Sequence, residues 1–112
     1  MKQEQAIECF AALAQDTRIS ILRLLVRNSP DGLRVSEIAK RLDIVASTLS
    51  GHLNVLKRCG LLRSKRNQRE IIYTVELETV NELMVFIVAE CCDGDIASCE
   101  KTFRLFGADV PA

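Results

Sequence analysis

The stretch RVSEIAKRLDIVASTLSGHLNVLKRCGLL, residues 34–62, constrains the fold more than any other part of the chain. Val35, Ile38, Ala39 and Leu42 recur at the spacing of one helical face. The rhythm stops over Asp43–Ala46 and restarts with Leu49, Leu53 and Leu56. Ser47 is the expected N-cap of the second helix, and Gly60 is placed to end it as the C′ residue. Two short helices joined by a tight turn make a helix-turn-helix.

After Gly60 the period changes. LLRSKRNQREIIYTV, residues 61–75, gathers Ile71, Ile72, Tyr73, Thr74 and Val75 in its second half, with polar RNQR as a turn at its centre. This predicts a β-hairpin whose tip carries Arg66 and Arg69. A helix-turn-helix followed directly by a basic hairpin is a winged helix, so the expected fold class is mainly α with a small β-hairpin.

The flanks supply the rest of the core. Ile7, Phe10 and Leu13 mark an amphipathic helix over Glu4–Ala14. Asp16 is the expected N-cap of a second helix, TRISILRLLVRN, which is apolar all round and is expected at the centre of the core. SPDG, residues 29–32, is a turn by its chemistry. The last helix, Leu77–Cys92, carries Leu77, Val80, Met84, Ile87 and Cys91, with Leu83, Val85, Phe86, Val88 and Ala89 widening the stripe. That is more apolar surface than one face of a small domain covers, and a second copy of the chain is the economical solution. With 112 residues, one domain over 1–106 and a frayed tail over 107–112 are expected.

The formal net charge is zero, but its distribution is uneven. Residues 57–69 hold Lys57, Arg58, Arg63, Lys65, Arg66 and Arg69 and no acid, whereas residues 76–112 hold eight acids against Lys101 and Arg104. A local basic stripe on a neutral chain is a candidate phosphate-binding edge, its bland alternative being a solvated charged hairpin. With Leu49, Leu53 and Leu56 facing in, Ser47, Thr48, Ser50, His52 and Asn54 face out on the second helix of the pair. Short polar groups near the helix start and longer ones further on suit a recognition helix in a DNA major groove. Gly51 leaves room for close approach, and Asn54 can pair with adenine. Lys57, Arg63, Lys65, Arg66 and Arg69, with Gln68 at the hairpin tip, would meet phosphates and the minor groove. His52, the one histidine, has no evident partner as a metal ligand or base and is expected to face the groove or contact the backbone.

Five cysteines, an odd number, argue against a closed disulfide framework. The N-terminus lacks a signal-peptide core and no run of about 18 apolar residues exists, so a reducing cytosol and no membrane partner are expected. Cys9 and Cys59 read as small core hydrophobes. Cys91, Cys92 and Cys99 fall within nine positions, and the DG turn after the pair can fold the third back towards them. Three soft thiolates select a thiophilic ion; trivalent arsenic or antimony suits three sulfurs better than zinc, which wants four ligands. A fourth ligand from Cys9 of a second subunit would reopen zinc or cadmium. Unrelated free cysteines, a redox or persulfide sensor and a catalytic thiol are the alternatives. The catalytic one is weakest because no base lies nearby in sequence.

ALAQDTRISILRLL, VSEIAKRLDIVASTLSGHLNVLKRCGLL and RNQREIIYTV together resemble the ArsR/SmtB family of bacterial metalloregulatory repressors, over roughly residues 6–92. The resemblance implies a dimeric winged helix, not an enzyme, with its first and last helices at the interface: Ile7, Phe10, Leu83, Met84 and Ile87 here. It also implies operator DNA bound in the inducer-free state and released on induction, with no organic cofactor. The family's Cys-x-Cys site on the first helix of the pair is missing, since RVSEIAKR has no cysteine. Its His/Asp zinc site on the last helix is missing too. Cys91, Cys92 and Cys99 match the arsenic-responsive subgroup, making trivalent arsenic the leading inducer, with antimony as an alternative. A methylarsenite-selective repressor, or a redox- or sulfide-sensing one on the same fold, is the alternative.

Overall fold

A computed structural model describes residues 1–91. Cys92, Cys99 and the 107–112 tail, with the expectations placed on them, lie outside the described residues. Eight elements follow in order: α1 (Gln3–Leu13), α2 (Asp16–Arg27), β1 (Leu33–Arg34), α3 (Val35–Leu42), α4 (Ala46–Arg58), β2 (Leu62–Asn67), β3 (Glu70–Val75) and α5 (Leu77–Cys91). The strands form one antiparallel sheet in the order β1-β3-β2. This is the expected winged helix, with one strand more than the hairpin.

The core sits where α1, α2, α3 and α4 meet the base of the sheet. Ile21 and Leu25 from α2, Ile38 from α3, and Leu49, Leu53 and Leu56 from α4 are essentially inaccessible, and Leu61 and Leu62 close the side nearest the wing. Burying a side chain of this kind stabilises by about 1.5–3 kcal/mol. α2, expected at the centre of the core, contributes Ile21 and Leu25 to it but is not covered on every side: Ile19 and Val26 remain exposed. One helix in so small a domain is covered on the sides facing α1, α3, α4 and β3, and among the described residues these two side chains on its outer side stay uncovered.

Two expected caps also move. Gln15, not Asp16, precedes α2, and its side-chain oxygen accepts from the Arg18 backbone N–H at 2.9 Å. Asp16 is instead the first helical residue, where a carboxylate suits the positive end of the helix dipole. α4 begins at Ala46 with Val45 as N-cap, earlier than a Ser47 cap would allow. Asp43, in the left-handed region at φ 52°, turns the chain sharply after α3, so the helix-turn-helix break is Asp43–Val45.

The end of α4 follows expectation closely. Gly60 (φ 95°) donates to Lys57 O at 3.0 Å and Leu61 to Leu56 O at 3.1 Å, the paired bonds of a Schellman motif. Leu56 and Leu61, the two residues joined by the longer of these hydrogen-bonded loops, are both buried in the core. The chain is thereby aimed straight into β2. β2 and β3 pair in register from Leu62↔Val75 to Asn67↔Glu70, so Gln68 and Arg69 form a two-residue turn. Gln68 takes φ 59° there.

α5 packs on α1, and Leu83 is 6% exposed within its own chain. Leu83, expected at a subunit interface, packs within the protomer's own core and anchors α5 there. Ile7 and Phe10 on α1, and Met84, Val85 and Ile87 on α5, are exposed. Among the described residues no helix is long and apolar enough to cross a membrane.

Candidate nucleic-acid interface

The heptad-like burial of Leu49, Leu53 and Leu56 fixes the rotation of α4. Ala46, Ser47, Thr48, Ser50, Gly51, Asn54, Lys57 and Arg58 are exposed as a result. From Ile44 to Arg69 the chain contains no acid. A Cβ built on Gly51 would meet nothing within 4 Å, so no packing within the protein requires glycine there. Gly51→Ala should therefore raise folding stability by about 1 kcal/mol, visible in a thermal melt. The added methyl should lower duplex affinity if α4 seats closely in a groove. A variant that is more stable and binds duplex DNA as well as the parent would contradict close seating.

His52 has a partner within its own chain. It is half-buried, and its Nδ1 accepts from Arg18 Nε at 3.1 Å, tying α4 to α2. Neutral imidazole accepting at Nδ1 carries its proton on Nε2. The ring thus holds α4 against α2 while keeping one donor.

On the wing, Lys65, Arg66, Asn67, Gln68 and Arg69 are all exposed. Arg66 Nε donates to Gln68 O at 3.2 Å, which braces the turn and leaves the rest of the guanidinium open. Arg63 is also exposed but pairs with Glu76 at 3.3 Å, and so is less available to phosphate. Between the start of α4 and the wing runs a groove of about 460 Å³, where Ser50 and Arg69 converge with Arg34, Ser36, Glu70 and Ile71.

Arg34, Ser36 and Arg18 carry no motif that marks them in the sequence. Arg34 bridges the helix pair and the wing: its Nε donates to Glu37 and its Nη1 to Glu70, each at 3.0 Å. Its backbone N–H also donates to Glu37, at 3.1 Å. That backbone bond first, and the guanidinium second, hold the Glu37 carboxyl below the usual carboxylate range. The only hint in the sequence is that Arg34 and Glu37 stand three apart, a spacing that favours such pairs on helices.

Cys9 and Cys59 are buried, as expected of core residues. Cys9 Sγ donates to Cys59 O at 3.4 Å and Cys59 Sγ to Leu56 O at 3.2 Å, linking α1 to the end of α4. Cys9 faces its own chain's core, which overturns the idea of a fourth ligand lent to a neighbouring subunit. Burial foremost, then the nearby Cys59 thiol, push its pKa from the ordinary 9.0 to about 12. A neutral acid favoured by folding contributes its stability fully below about pH 9 and loses it as the pH rises towards 12. Since the thiolate is the nucleophile, Cys9 in the native reduced protein should resist iodoacetamide at neutral pH and react only after denaturation. Peptide mapping by mass spectrometry checks this, and native-state alkylation at the rate of the denatured chain would contradict it.

A helix-turn-helix with an exposed polar second helix, flanked by a basic two-stranded wing, defines a winged-helix DNA-binding regulator. A family described as a helix-turn-helix domain matches residues 13–65. The chain is 31% identical over 86 residues to the uncharacterized HTH-type transcriptional regulator MJ1325 of Methanocaldococcus jannaschii, spanning 77% of this chain and 94% of that protein. Its fold is similar to the crystal structure of the ArsR family transcriptional regulator RHA00566, with TM-score 0.68 and 27% identity over 77% of this chain and 91% of the other. It is also similar to the homodimeric winged helix-turn-helix DNA-binding domain Mb0332 of Mycobacterium bovis, with TM-score 0.64 and 30% identity over 78% and 80% of the two chains. The chain belongs to the ArsR family of helix-turn-helix transcriptional regulators, which are DNA-binding proteins and not enzymes.

Proposed function

We propose that the chain is a homodimeric repressor that holds operator DNA through α4 and the β2–β3 wing. We propose further that it releases the DNA when trivalent arsenic, or antimony, binds Cys91, Cys92 and Cys99. The observation that carries the DNA reading is the acid-free run from Ile44 to Arg69, folded so that the polar side of α4 and the wing cations are all exposed. Dimerisation is supported by Ile7 and Phe10 on α1 and by Met84, Val85 and Ile87 on α5, apolar residues left exposed on two helices that pack together. The homodimeric state of Mb0332 supports it as well. Two recognition helices would then enter successive major grooves about one turn apart.

The inducer reading rests on the chemistry of the donor set. Three thiols and no histidine suit a thiophilic three-coordinate ion. Cys91 ends α5, the helix whose apolar residues would lie between subunits, so an ion drawing the thiols together would act on the spacing of the two reading heads. The coupling is reciprocal: DNA weakens arsenic binding by the factor by which arsenic weakens DNA binding, typically about 5–150-fold.

Fluorescence anisotropy of the reduced protein on its own upstream duplex, titrated with arsenite, tests this. Release is expected at one arsenic per subunit. Cys91→Ser and Cys99→Ser should bind DNA normally without inducer and fail to respond to it. Tight binding indifferent to arsenite would sink the inducer assignment and leave DNA binding standing. A full response by Cys99→Ser would reduce the site to two thiols.

A further inference from the structure

We infer that Val45 reads the 5-methyl group of a thymine in the operator half-site. This rests on the DNA-binding reading and goes beyond it by naming what the start of α4 recognises. Val45 is 70% exposed, more than any other large apolar residue among those described. It is the N-cap of α4, yet its side chain makes no capping bond and cannot make one. Exposed Ala46, Ser47 and Thr48 follow it directly. The N-terminal residues of a recognition helix are the ones that meet base edges.

The side chains missing from this segment sharpen the inference. Residues 44–53 contain no arginine, lysine, asparagine or glutamine, so the bidentate partners of guanine and adenine are lacking until Asn54. His52 lies in that span, but its Nδ1 is already engaged by Arg18. The leading turn of α4 therefore offers methyl groups and short hydroxyls. The one major-groove feature that an aliphatic side chain recognises is the thymine methyl, which A·T alone presents. Ile7, Phe10, Met84, Val85 and Ile87, also exposed and apolar, lie on α1 and α5, whereas Val45 stands on the acid-free reading face.

Single thymine-to-deoxyuridine replacements in a bound duplex test this, because each deletes one methyl and nothing else. The full-length reduced protein is used, on its upstream duplex or on a duplex selected from a random pool. One thymine per half-site should be sensitive, its demethylation weakening binding about fourfold, the worth of one buried methyl-sized group. Val45→Ala should bind both duplexes equally and match the parent on uracil DNA. Alanine and valine are similarly poor N-caps, so the start of α4 should survive the change, and an unaltered melting temperature verifies that. Val45→Ile, which keeps a branched apolar side chain, should retain the dependence on the methyl. Uracil tolerated at every position, or an undiminished penalty in Val45→Ala, would overturn the inference while leaving DNA binding intact. Failure of the parent to bind any duplex would overturn both.

Discussion

Alanine in place of Lys65, Arg66 and Arg69 is expected to weaken duplex binding by about two to four orders of magnitude at moderate salt. These three cations are exposed on the wing, which the Schellman turn at Gly60 and the in-register β2–β3 pairing project beyond the helix pair. A dimer presents each of them twice, and removing each cation–phosphate pair should flatten the salt dependence by about 0.9 in slope. Because all three are solvated and none lies in the core, the melting temperature should barely change. Arg63→Ala should cost much less, since that guanidinium is paired with Glu76. Equal losses from Arg63 and Arg69 would mean that the wing acts only through its overall charge.

The second large effect is on stability. Gly32→Ala should destabilise the fold by about 2–5 kcal/mol, combining the left-handed penalty with overpacking. Gly32 has φ 77°, and a Cβ there would overlap the Tyr73 carbonyl oxygen and the Thr74 side-chain methyl. A backbone oxygen in a paired strand has nowhere to go. Gly32 lets the SPDG turn lie against β3 so that Leu33 pairs with Tyr73 and Arg34 with Ile72. The substitution should lower the urea midpoint and weaken DNA binding together, because the same close approach seats the wing. Stability like the parent's by urea unfolding would show that the turn rearranges freely and does not position β3.

How much of this was legible in the sequence depended on the length of each signal. Leu49, Leu53 and Leu56 repeat over two helical turns, and they fixed which side of α4 faces out. Gly60 was legible because a left-handed C′ residue favours glycine on steric grounds. β1 was not, since two residues carry no period and pair only because Gly32 lets the chain approach β3. The cap of α4 was misplaced for a related reason: the left-handed Asp43 sets where the helix starts, overriding the capping preference of Ser47. Leu83 and Met84 are neighbours on one apolar stripe, and only the packing of α5 on α1 separates the buried residue from the exposed one. The Arg18–His52 bond spans 34 residues and left no local trace. The thiol cluster was readable as composition and spacing alone.

Binding of a particular duplex through α4 and the wing is the property on which everything else here depends. Its most direct test is fluorescence anisotropy of the full-length reduced protein on its own upstream DNA and on an unrelated duplex of equal length, across a salt series. Affinity for its own DNA at least about 10³-fold tighter, falling steeply with salt, is the predicted result. Weak binding that is the same for both duplexes and insensitive to salt would contradict it.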